Sequence, residues 1–125
     1  MSYAPAGYQT VTPYLIVPNA EGFISFIKDV FAAKELSRHM RDESIIMHAA
    51  VKVGDSMIMF ADSTPQYAPA TAHLFVYVQD ADATYELALQ KGATTVMPPA
   101  DQNYGRSCGV LDPHGNTWWI TSVPK

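Results

Sequence analysis

The alternation of apolar and polar residues repeats itself once along this chain. "VTPYLIVPNAEGFISF" (11–26) set over "AHLFVYVQDADATYEL" (72–87) gives, twice, a short strand, a capping residue and a helix. Asn19 and Asp80 are the natural caps, because a side-chain oxygen there can accept from the free amides of a first helical turn. After Asn19, Phe23, Phe26, Ile27, Val30 and Phe31 recur at i, i+3, i+4, i+7 and i+8, which makes one buried helix face. After Asp80, Ala81, Tyr85, Ala88 and Leu89 repeat the theme more weakly, ending at Gly92. "AAKEL" (32–36) and "GATTV" (92–96) then read as second strands. "IIMHAAVKVGDSMIMFAD" (45–62) and "GRSCGVLDPHGNTWWITS" (105–122) each read as strand, turn at Gly54 or Gly115, and strand. His73 lies 61 residues after Thr12, Val78 61 after Val17 and Gly115 61 after Gly54. These landmarks predict two tandem βαβββ modules, about 8–62 and 72–123. The linker 63–71, rich in proline and small residues, joins them within a single domain spanning 1–125.

Strand side chains alternate between faces, so each strand can be sorted into a helix side and a far side. Leu15, Val17, Leu74, Val76 and Val78 fall on the helix side, with Met57, Met59 and Trp118. The far side collects Thr12, Tyr14, Ile16, His73, Phe75 and Tyr77. By the same alternation Ser44, Ile46, His48, Ala50 and Lys52 share one face. Counting from the two turns adds Ile58, Phe60, Trp119 and Thr121 to the far side. An aromatic surface of this kind marks a binding site or an interface.

Composition narrows the function classes. The net charge of −4, with scattered basic residues, leaves no footprint for nucleic acid. No apolar run reaches the roughly 18 residues of a membrane span, and the N-terminus does not read as a signal peptide. The one cysteine, Cys108, cannot form an internal disulfide and is expected as a small buried residue in a reducing cytoplasm. His39 and His114 are expected in solvent.

The motifs "TPYLIV", "IMHAAVKVGDSMIMFAD", "HLFVYVQDADA", "GAT" and "YGRSCGVLDPHGNTWWI" together resemble the glyoxalase/bleomycin-resistance/extradiol-dioxygenase superfamily, also called vicinal oxygen chelate. They are most similar to its PhnB-like branch, often labelled demethylubiquinone methyltransferase-like. The resemblance implies an α+β fold whose curved mixed sheet surrounds a U-shaped cleft, usually completed in a homodimer. The methyltransferase label carries little weight, since the chain lacks the Gly-rich loop that a nucleotide-type methyl donor suggests. Metal-binding members place ligands on the first and last strand of each module. Carried onto this chain those positions are Thr12, Ile58, His73 and Trp119, and only His73 matches. The resemblance also places the loop 98–109 over the cleft, so that Tyr104 and Arg106 would gate it or pair with an anionic group. The chain departs from the branch pattern by about one residue between Tyr104 and Gly109, and by ending the motif in Ser122-Val123.

Divalent metals need several N or O donors, and glyoxalase-type proton transfer needs a carboxylate. The far face has no Asp or Glu in mid-strand; Asp62 lies at a strand end. The expectation is a homodimeric, small-molecule-binding protein of the bleomycin-resistance type, without metal or cofactor. It would hold an aromatic or apolar compound through Tyr14, His48, Phe60, His73, Phe75, Tyr77, Tyr104, Arg106 and Trp119. The alternative is a glyoxalase-like metal-dependent lyase or dioxygenase with a displaced site on His48 and His73. A third reading makes the aromatic face a dimer seam only.

Overall fold

Each half of the chain forms a strand, a helix and three further strands, in the order the repeat predicts. The computed structural model describes residues 3–124. The first half contains β1 (Tyr14–Val17), α1 (Ala20–Phe31), β2 (Lys34–Met40), β3 (Ile46–Val53) and β4 (Ser56–Asp62). The second contains β5 (His73–Tyr77), α2 (Ala81–Gln90), β6 (Thr94–Gln102), β7 (Gly105–Leu111) and β8 (Thr117–Ser122). The strands make two four-stranded mixed sheets, ordered β1-β4-β3-β2 and β5-β8-β7-β6, in which β1–β4 and β5–β8 are the parallel pairs. This is the expected α+β architecture, with two sheets where one curved sheet was anticipated.

Local chemistry explains the helix starts. Asn19 accepts from the Gly22 amide at 3.0 Å and Asp80 from the Ala83 amide at 3.2 Å, caps that contribute about 1 kcal/mol each. A second acceptor reaches each helix from the end of its own sheet. Asp62 takes the Ala20 amide at 2.7 Å and, with its other oxygen, the Ile46 amide at 2.7 Å; Ser122 Oγ takes the Ala81 amide at 3.0 Å. Arginines tie the first-turn acids to the sheets as well. Arg38 holds Glu21 and Glu35, and Arg106 holds Asp82 and Asp101.

The two modules share one core. Phe23 of α1 meets Phe60 of the first sheet edge-on at 5.0 Å, and Phe31 of the same helix lies 4.5 Å from Trp118 of the second. Leu15, Val17, Ala49, Val51, Ile58 and Phe60 from one sheet join Cys108, Val110, Trp118 and Ile120 from the other in a single buried cluster around the helices. Both sheets thus turn an apolar face into the shared core. The linker runs back along β1, where Ile16 and Ala70 exchange both backbone hydrogen bonds (3.0 and 2.8 Å), closing that sheet edge.

One landmark of the repeat misleads. Tyr14 pairs with Met59 and Phe75 pairs with Trp119, so the last strands correspond with an offset of 60 rather than 61. The cause lies in the turns. Val53 and Ser56 flank a two-residue turn opened by Gly54 (φ 58°), whereas Asp112 and Asn116 flank a three-residue turn closed by Gly115. Aligning the two glycines slips β4 by one residue, and a one-residue slip exchanges the faces of a strand. Ile58 and Phe60 therefore belong to the core, and Met59 lies on the outer face. Met57 shares that face; it is buried outside the core cluster, where the Gln9 side chain brackets its backbone (2.7 and 3.2 Å). Ile46 is likewise core, because a bulge at Met47 shifts the register between β2 and β3 and leaves His48 facing outward.

Candidate functional site

The outer face of the second sheet carries an aromatic platform centred on Trp119. β8 lies between β5 and β7, and the indole lies across all three strands. Its Nε1 donates to Nδ1 of His73 on β5 at 3.2 Å, and the two rings are nearly parallel (13°) with centroids 6.1 Å apart. Its six-membered ring covers Gly109 of β7, where a Cβ would come within 2.5 Å of the indole. Only glycine permits that approach. Phe75 and Tyr77 extend the platform along β5, 5.3 Å apart. Tyr104, in the turn between β6 and β7, reaches over it to within 6.3 Å of Phe75. Phe75, Tyr77 and Tyr104 are 52, 67 and 49% exposed, unusual for rings that are not part of a partner-facing or ligand-facing surface. A buried hydroxyl pair, Ser107 and Thr121 at 2.8 Å, lies beside the indole.

The remaining expected residues divide. Tyr14 and His48 do face outward and approach each other (5.8 Å), with His39 6.1 Å from His48, but on the first sheet. They are not brought to Trp119 within the chain. Phe60 is corrected from the far face to the core, where it is fully buried against Phe23. Arg106 is corrected from the cleft to the helix side of β7. Strand alternation puts it on the side opposite Gly109, and Asp82 of α2 holds its guanidinium with two 3.1 Å bonds. The pairing holds the Asp82 carboxyl below the usual range and raises Arg106.

His114 is buried, not solvated: its ring lies edge-on to Phe23 at 6.0 Å, beside Gly22, and its Nδ1 has no hydrogen-bond partner among the described residues. Burial lowers its pKa, with nearby Asp112 opposing. Cys108 is buried as expected; burial, aided by Asp82, pushes its thiol up to about 11, which disfavours the thiolate.

The sequence motif "DPHGNTWW" proves to be a turn built around a buried carboxylate. Asp112 accepts from the His114 amide (2.8 Å), the Asn116 amide (3.0 Å), Asn116 Nδ2 (3.2 Å) and Trp118 Nε1 (2.8 Å). Asn116 Oδ1 then takes the Ala72 amide at 3.1 Å, locking the start of β5. Gly109 and Asp112 are the residues that the reading by motif passed over. A glycine inside an apolar strand and an acid opening a turn before Trp were the available signals.

A family model described as Glyoxalase/Bleomycin resistance protein/Dioxygenase superfamily matches residues 8–120. The chain belongs to that superfamily. An uncharacterized Mycobacterium bovis protein is 34% identical over 122 residues, 86% of this chain and 79% of its own. Among solved structures, TioX from Micromonospora superposes with TM-score 0.75 at 22% identity, covering 91% of this chain and 98% of its own. A PhnB protein from Bacillus cereus does so at 0.72 and 18%, covering 92 and 100%. The fosfomycin resistance protein FosX from Mesorhizobium loti gives 0.67 and 17%, covering 97 and 92%. At these identities the structures share the fold.

The superfamily implies a metal in some members, and the donor set here does not fit one. Trp119 and buried Ile58 offer no N or O ligand, and Met59, which the true register puts in place of Ile58, offers a thioether. Thr12 turns its hydroxyl to the Gln9 carbonyl at 3.3 Å, and His73 uses Nδ1 on the indole. Among the described residues, no three His, Cys, Asp or Glu side chains cluster as metal ligands, and no helix is long and apolar enough to cross a membrane.

Proposed function

We propose that this protein binds a small aromatic or apolar molecule without a metal, in the manner of a bleomycin-resistance protein, as a homodimer. The observation that carries the reading is the indole of Trp119, laid flat on the outer face of a sheet by His73 on one side and Gly109 on the other. A fixed, partly exposed ring offers a stacking surface with little conformational freedom to lose, and ring stacking adds roughly 0.5–1.5 kcal/mol to area burial. Phe75, Tyr77 and Tyr104 supply further ring faces. A second copy would cover the outer faces and could bring Tyr14 and His48 of one chain over the platform of the other.

Native mass spectrometry of the purified protein, repeated under denaturing conditions, tests this. The expected result is a dimer without metal, carrying an organic mass that denaturation releases. A dimer with stoichiometric divalent metal would instead favour a glyoxalase-like enzyme, and a monomer carrying nothing would overturn the reading.

A further inference from the structure

We infer that the first module holds its own site for an apolar monoanion, read by Arg41. It is built by the other sheet and goes beyond the platform on Trp119. A cavity of about 280 Å³ opens on the outer face of the first sheet, just below the roughly 300–1,000 Å³ of drug-sized sites. Its walls come from β1, β4, the start of β3 and the linker, which meets β1 at the Ile16–Ala70 bridge. Ile16, Ile45, Met47 and Ala61 make it apolar, Tyr14 and Tyr67 stand at its sides, and Arg41 lies at its rim.

The unpaired guanidinium of this cavity selects the ligand. Of the three arginines, Arg38 is tied to Glu21 and Glu35, and Arg106 to Asp82 and Asp101. Arg41 alone has no ion pair among the described residues. Three acids stand near it, Asp42, Glu43 and Asp62, and two of them hydrogen-bond to the backbone. Asp42 accepts from the Ser44 and Ile45 amides (2.8 and 2.9 Å), and Asp62 from the Ala20 and Ile46 amides (2.7 Å each). An exposed guanidinium that makes no ion pair, beside an apolar cavity, offers its N–H fork to a planar anion carrying an apolar body, such as an aromatic or short-chain carboxylate, in competition with the charge of Asp42. The volume has room for a fused two-ring body, and the rim arginine would take the carboxylate in a fork of two hydrogen bonds.

The test uses the whole protein and two probes of one shape, 2-naphthoate and 2-naphthalenemethanol, with binding followed by NMR chemical shifts. The carboxylate is expected to bind about tenfold more tightly than the alcohol, the scale of one charge-assisted contact at an exposed rim. Shifts should centre on Ile16, Ile45 and Ala61, and Arg41→Gln should abolish the difference between probes. Because Arg41 is exposed, the variant's spectrum should otherwise match the wild type. Equal affinity for the two probes, an unchanged preference in Arg41→Gln, or shifts centred on the Trp119 indole would each overturn the assignment. The last outcome would leave the platform standing as a binding site and this cavity not.

Discussion

Trp119 Nε1 donates to His73 Nδ1 at 3.2 Å while the far edge of the same indole rests on Gly109. One ring thereby joins the outer strands of a three-strand segment and is held by both ends. Gly109→Ala should lift the indole from β7. The expected outcome is a loss of unfolding free energy of about 1–3 kcal/mol, typical of overpacking, with a red-shifted tryptophan emission. Denaturant titration followed by fluorescence measures both. An unshifted spectrum would mean that the indole does not rest on β7.

Trp119→Ala should weaken any aromatic ligand of the platform by roughly two- to tenfold, the share attributable to stacking. Stability should change far less than in Trp118→Ala, whose core position predicts a cost of about 3–5 kcal/mol. Titration calorimetry with the ligand released in mass spectrometry, alongside urea unfolding, separates the two tryptophans.

Asp112 carries a structural prediction. Asp112→Ala leaves four donors, including Trp118 Nε1 and two backbone amides, without their buried acceptor. Each buried unpaired donor costs roughly 1–3 kcal/mol, so the sum should be about 3 kcal/mol or more. A chemical denaturation curve reads the change. A shift of less than 1 kcal/mol would show the carboxylate to be dispensable.

The protein should lose stability on mild acidification through His114. Burial lowers this histidine below its ordinary value near ~6.5, so the unfolded chain binds the proton more readily than the folded one. Its contribution is therefore fully present above the unfolded value and is lost as pH falls through the folded one. Urea midpoints between pH 8 and 5 should decline on the acid side, and His114→Asn should flatten that part of the curve. An equal acid-side decline in the variant would assign the loss to other groups.

If the outer faces pair between copies, Tyr77→Lys should shift sedimentation from dimer to monomer. Tyr77 is 67% exposed in one chain. The variant monomer should keep its unfolding free energy within about 0.5 kcal/mol.

Most of the fold was legible in the pattern, because strand and helix periods and the caps at Asn19 and Asp80 are local signals. So were the faces of the residues on β1 and β5 and the separation of Trp118 from Trp119 on β8. The errors have common physical causes. The face of β4 depends on how many residues a turn holds, and that of β3 on a bulge at Met47; neither shows in alternation alone. Arg106 was misplaced because a loop motif was followed where strand alternation and an acid in the first turn of α2 were the better guides. His114 looked solvated because a turn residue is exposed by default, and nothing local reveals that a helix from the other module will cover it. Pairing of the outer faces with a second chain is a further matter, because the sequence of one chain carries no periodic signal for it.

The broad buried face of α1 has a consequence for synthesis. Phe31 packs on Trp118, a residue made well after it, while Phe23 waits for His114. The first module therefore leaves the ribosome with a greasy, half-finished helix that its own sheet cannot wholly cover. Each half of the duplication visible in the sequence carries apolar surface that the other half covers. A nascent chain stalled before β8 would be a natural client for a holdase, and splitting the gene at the linker should yield two fragments that are soluble only when they are made together.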